Sequence, residues 1–146
     1  MGYDFVPFST RSTGDIEFEN RPWQQLLWQI LGTQNATIVL RTRLEQRFRS
    51  LENSTALRLR QNIKLTLPKA IANKLTPILF DEMFFNLNHP EWVNKNDINQ
   101  NRLFMGIQIP IKKNNFLQVG YLNQYEFRSP NNRMSHVFML SLIIRT

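Results

Sequence analysis

The chain has 146 residues, no cysteine, and 18 Lys+Arg against 11 Asp+Glu, a formal net charge of +7. That length holds a single domain, residues 1–146, and the lack of cysteine excludes a disulfide scaffold and a thiolate metal site. The 42% hydrophobic and 12% aromatic content excludes a disordered chain. No apolar run approaches the roughly 18 residues of a membrane-spanning helix, which leaves membrane crossing by strands open.

A cationic surplus ordinarily points to a polyanion such as nucleic acid. Here half of the basic residues fall between Arg41 and Lys74, most of them at alternate positions of two strand-like runs. What the charge does depends on where that alternate face points.

In chain order, Met1-Gly2-Tyr3-Asp4-Phe5 has no basic n-region and no apolar h-region, so the chain as given carries no signal peptide. Gly2 to Val6 reads as the end of a strand, and the natural start is expected upstream. Next, Leu26, Trp28 and Ile30 alternate with Gln25, Leu27 and Gln29. From Ile38 to Phe48 the even positions are Ile38, Leu40, Thr42, Leu44, Gln46 and Phe48, against Val39, Arg41, Arg43, Glu45 and Arg47. A period of two separates apolar from charged residues, as a strand does and a helix does not. After the polar turn Ser50–Ser54 the design repeats. Leu57, Leu59, Ile63, Leu65 and Leu67 share one face, and Arg58, Arg60, Asn62 and Lys64 the other.

Leu79 to Leu87 is ambiguous, because both faces are apolar with one acid each. Leu79, Met83, Phe85 and Leu87 are placed together, with Glu82 and Asn86 opposite and Asp81 as an exception. Downstream, Leu103, Met105, Ile107, Ile109 and Ile111 alternate with Arg102, Phe104, Gly106 and Gln108. Leu117, Val119, Tyr121, Tyr125 and Phe127 alternate with Gln118, Gly120, Gln124 and Glu126. Phe138, Leu140, Leu142 and Ile144 form the apolar set of the last run.

The expected fold is all-β: an antiparallel up-and-down meander of about eight strands forming a β-barrel. Its strands, at about ten residues or more, exceed the usual 5–6 and match the 9–11 of transmembrane strands. The connections at 8–19, 49–55, 89–99 and 128–133 average longer than those at 32–35, 69–74 and 112–115. Outer-membrane barrels have this asymmetry, with the short turns periplasmic. A soluble barrel points its apolar face inward and a membrane barrel points it outward. The nearly charge-free apolar faces favour the membrane orientation. So do the strand-end aromatics Trp28, Phe48, Tyr125 and Phe127, and polar faces rich in Arg, Gln and Asn.

An ordered series of motifs strengthens this reading. Arg41 to Arg47 reads Arg-x-Arg-Leu-Glu-x-Arg, and Arg58 and Arg60 form an Arg-x-Arg strand. Phe80-Asp81-Glu82-Met83-Phe84-Phe85, Gln100-Asn101-Arg102, Gly120-Tyr121 and Ser135-His136 follow. Over about residues 20 to 146 the series resembles the domain-of-unknown-function 2490 family of Gram-negative bacteria, whose members look like outer-membrane β-barrels. The resemblance implies localisation in the bacterial outer membrane. It also implies a signal peptide and further strands upstream, so this chain is expected to lack the family's N-terminal part and to close incompletely.

On this reading Arg41, Arg43, Arg47, Arg58, Arg60, Lys64 and Arg102 line the lumen, with Glu45, Glu82 and Glu126 as acidic partners. The ladder is expected either to plug a narrow barrel by ion pairing or to carry small anionic solutes. Ser135 and His136 are strand neighbours that face opposite sides, as are Asp81 and Glu82, so neither pair forms a catalytic dyad. No enzymatic activity, cofactor, metal or nucleic-acid partner is expected; the expected partners are outer-membrane lipid and small anionic solutes. The alternative is a soluble lipocalin-like β-barrel binding an apolar ligand or nucleic acid.

Overall fold

A computed structural model of the chain describes residues 1–9, 16–68, 75–112 and 115–144. It contains eight strands: β1 (Gly2–Ser9), β2 (Ile16–Gly32), β3 (Thr37–Arg49), β4 (Ala56–Thr66), β5 (Thr76–Asn86), β6 (Ile98–Lys112), β7 (Asn115–Glu126) and β8 (Arg133–Ile143). They form one sheet in the order β1-β2-β3-β4-β5-β6-β7-β8, every neighbour antiparallel. Among the described residues there is no helix. The sheet curls into a half-barrel, and among the described residues β1 and β8 have no second neighbour and form its edges.

The pairing confirms the period-two assignments. Arg43 lies opposite Arg60, Glu45 opposite Arg58, and Arg41 opposite Asn62. Asn62 in turn faces Glu82, and Glu82 faces Arg102. One register therefore carries the polar ladder across β3 to β6 on a single face. Curvature makes that face concave and brings side chains of non-neighbouring strands together. Arg41 on β3 reaches Glu82 on β5 across β4, at 2.6 Å.

Two boundaries differ from the sequence reading. The connection expected over 8–19 is shorter, because β1 runs on to Ser9 and β2 already pairs with it from Ile16. The 17-residue β2 thus spans roughly 55 Å at about 3.3 Å per residue, well beyond a bilayer's hydrocarbon core. The expected turn at 69–74 lies outside the described residues. Ladder register also shifts between Gln29 and Leu31, between Phe84 and Phe85, and between Pro110 and Lys112.

The concave side is not uniformly polar. Toward the short-turn end of β5 to β7 it holds Ile78, Phe80 and Phe104, with Phe104 fully buried and its ring stacked on Phe80 at 4.9 Å. Gly106 and Gly120 stand directly opposite each other on this face. A Cβ at either would meet the Phe104 ring at 2.5 Å, so the two glycines form the slot that the ring fills.

The outward side is apolar and unpacked. Trp28, Met105, Phe138 and Leu140 are each more than 60% exposed. Buried polar or charged residues include Glu45, Arg58, Asn62, Glu82, Gln100 and Gln118, whereas the buried hydrophobic set among the described residues is Ala56, Ile78, Phe84, Val93 and Phe104. Among described residues, the protein is inverted relative to the usual rule that apolar side chains go inside and charges stay out.

Candidate functional site: the concave polar ladder

Glu45 is the hub of the ladder. It lies at mid-β3 with no solvent exposure and accepts from Arg58 Nε at 2.8 Å and Arg60 Nη1 at 2.7 Å. Arg60 also donates to Glu82 Oε1 through Nε at 3.0 Å and Nη2 at 2.8 Å, and Arg41 joins the same oxygen. The order Arg58–Glu45–Arg60–Glu82–Arg41 is a continuous chain of charge-assisted hydrogen bonds. Such bonds are stronger than neutral ones, and a buried charge needs them.

Arg43 donates to Gln25 Oε1 at 2.9 Å and lies within 4.0 Å of Glu45 and 3.8 Å of Asp4. Its guanidinium stacks on Trp23 at 4.0 Å. Arg102 donates to Gln124 Oε1 at 3.0 Å, and Gln124 donates in turn to Glu126 at 2.8 Å. Glu126 also pairs with Arg128. Lys64 stands on the same face, between Val39 and Phe80 in register. Arg47 is not part of the Glu45 network; it binds Glu19 at 2.5 and 3.1 Å, and Glu19 also binds Arg21. Every expected lumen residue therefore lies on one face. Arg41, Arg58, Arg60, Glu45 and Glu82 are bonded into one cluster, and Arg47 and Glu126 belong to separate ones.

Sequence reading missed several members. Glu17 and Glu19 fell in an expected loop, yet they lie on β2, and Glu17 pairs with Arg49 at 2.6 Å. Their alternation with Arg21 was the available signal. Alternation places Phe48 on the face opposite the arginines of β3 and names no aromatic residue as a neighbour of Arg58 or Arg60. In the structure Phe84, 1% exposed, sits among Arg58, Arg60 and Arg102, whose guanidiniums lie 5.2, 4.6 and 4.9 Å from its ring centre. The ambiguous double-apolar strand around it hid this role. A ring covered in this way offers no face for stacking a base.

Asp81 does lie outward, as the sequence exception indicated. Asn101 donates to it at 2.6 Å, and it is the lone carboxylate on the outward face of the paired strands among the described residues. His136 is also outward and bonds Tyr121, while Ser135 points inward, so the two do not meet. No group of three or more His, Cys, Asp or Glu is placed to hold a metal ion among the described residues.

The loops of one end interlock. The β5–β6 connection, residues 87–97, folds across the long-loop end of the sheet. Asn86 Nδ2 donates to the carbonyls of Asn94 and Asn96 at 3.2 and 2.9 Å. Trp92 Nε1 donates to Ser54, Asn88 Nδ2 to the Thr55 carbonyl, and Asn94 Nδ2 to the Phe127 carbonyl. The loop is thereby tied to the β3–β4 and β7–β8 connections, and its Trp92 covers Arg47 at 5.2 Å.

A family model described as "Protein of unknown function (DUF2490)" matches residues 1–135. An uncharacterized protein of Methylorubrum extorquens is 28% identical over 134 residues, covering 90% of this chain and 58% of that protein. The chain thus spans less than two thirds of that relative's length.

Proposed function

This chain belongs to the DUF2490 family, and from its inverted distribution of side chains we propose that it forms the wall of a bacterial outer-membrane β-barrel. One observation carries the proposal: the buried face is the charged one, and the exposed face is a broad apolar surface. Monomeric soluble proteins rarely expose contiguous apolar patches beyond a few hundred Å². Lipid is the solvent that such a face suits. Strand lengths, outward aromatics near both ends (Trp28, Phe48, Tyr125) and the contrast between long and short connections support the same reading.

The interior is braced rather than open at mid-height, because the central arginines are committed to Glu45 and Glu82. The arginines nonetheless outnumber those carboxylates, with Arg43 and Arg102 held mainly by glutamine oxygens. The interior therefore favours small anionic solutes, and its main role is structural. The protein should co-sediment with outer membranes and migrate differently on detergent gels before and after heating. Monodisperse behaviour without detergent would refute the location. In planar bilayers any conductance should be anion-selective and fall with Arg43→Glu; cation selectivity would refute the solute preference.

A further inference from the structure

A second concave region lies apart from the Glu45 network. Between the β5–β6 loop and the long-loop end of the sheet is a cavity of about 760 Å³. That volume lies within the roughly 300–1,000 Å³ of small-molecule sites. Its roof is built, not draped: the loop is tied down by Asn86, Asn94 and Trp92 through the bonds described above.

The lining has a definite chemistry. Asn96, Asn99 and Gln100, whose side chains are amides, and the aromatic Trp92 are among the residues that line it. Each amide carries both donors and an acceptor, which matches a hydroxyl group that also does both. An apolar ligand would strand these groups, which is costly. Gln100 is 7% exposed, and its Nε2 is fully buried with no hydrogen-bond partner among the described residues. A buried donor left unmade is unfavourable, and because the atom is shielded from the cavity as it stands, a ligand oxygen would satisfy it once the Gln100 amide turns toward that space.

Charge narrows the class further. The cavity holds Arg47, Lys95 and Arg128 against Glu91 and Glu126, an excess of one cation. Arg47 is engaged by Glu19 and Arg128 by Glu126. Two committed guanidiniums suit a compact, multiply charged anion poorly, whereas Lys95 on the exposed loop suits a single carboxylate. We propose that this cavity binds an acidic saccharide: hydroxyls on the amides, ring C–H groups against Trp92, and the carboxylate toward Lys95. The assignment stands on the loop geometry and does not depend on where the protein resides.

The test is calorimetric titration of the purified chain in detergent micelles with D-galacturonate, D-galactose and inorganic phosphate. Galacturonate should bind saturably and about tenfold tighter than galactose, with phosphate failing to compete. Lys95→Glu should weaken galacturonate about tenfold and leave galactose unchanged, while Gln100→Ala should weaken both sugars severalfold. Lys95 is exposed, so its variant tests the site even if Gln100→Ala folds poorly. Absent saturation by either sugar, phosphate competing with equal affinity, or a Lys95→Glu titration identical to the parent would each overturn the assignment. Lost sugar binding alongside intact outer-membrane fractionation counts against this site alone.

Discussion

Glu45 accepts from two guanidiniums in a place water does not reach. Removing one partner of a buried ion pair leaves an uncompensated charge and typically costs about 3–5 kcal/mol. Glu45→Ala should lower the stability of the folded protein by about that amount, read as a shift of the urea midpoint in lipid vesicles or micelles. An unchanged midpoint would show that the ladder does not brace the sheet. Because Arg60 bridges Glu45 and Glu82, the double variant Glu45→Ala/Glu82→Ala should be non-additive. On the opposite face, Met105 is 62% exposed at the middle of β6. If lipid covers it, Met105→Arg should cost about 2–4 kcal/mol on refolding into vesicles. If water covers it, the change should stay within about 0.5 kcal/mol. At this scale the charged partners were legible, because alternation assigns each residue to a face. Which arginine meets which glutamate was not, since that depends on register. Asp81 was correctly seen as the exception, but its partner Asn101 lies on another strand, twenty positions away.

Among the elements, β6 and β7 depend on the Gly106–Gly120 pair. A Cβ at Gly106 would come within 2.4 Å of the Val119 carbonyl oxygen and 2.5 Å of the Phe104 ring. Gly106→Val should therefore destabilise by about 1–3 kcal/mol through overpacking, with Gly120→Ala acting in the same direction. Parental thermal stability in both variants would contradict the slot. The glycines were visible in the sequence only as members of a polar face; their role appears once Phe104 is seen to fold over both. Strand positions themselves were read well, since eight runs of alternation map onto eight strands. The register shifts at Gln29/Leu31 and Phe84/Phe85 were not, because one extra residue leaves no mark on composition. The β5–β6 loop was legible only as a long polar connection. Its tethers run to backbone carbonyls of two other loops, and no periodic signal announces them.

For the whole molecule, the meander and its curling toward a barrel were both legible; how far the sheet curls was not. The family resemblance anticipated incomplete closure, and among the described residues the sheet indeed ends in two edges. Within hydrocarbon, each unpaired backbone N–H or C=O costs several kcal/mol, so the membrane reading requires β1 and β8 to be paired when the protein is inserted. Most of the basic residues on the described strands face the concave side, answered in part by glutamates, rather than forming an outward surface for a polyanion. The central claim is that the apolar face meets lipid. The chain has no cysteine, so single cysteines can be placed at will. Ile63, Ile107 and Val119 face outward, while their neighbours Asn62, Gln108 and Gln118 face inward. With a fluorophore on each cysteine and the protein reconstituted in vesicles of brominated lipid, the three outward sites should be quenched and the three inward sites spared. Equal quenching of both sets, or quenching of the inward set alone, would contradict the account.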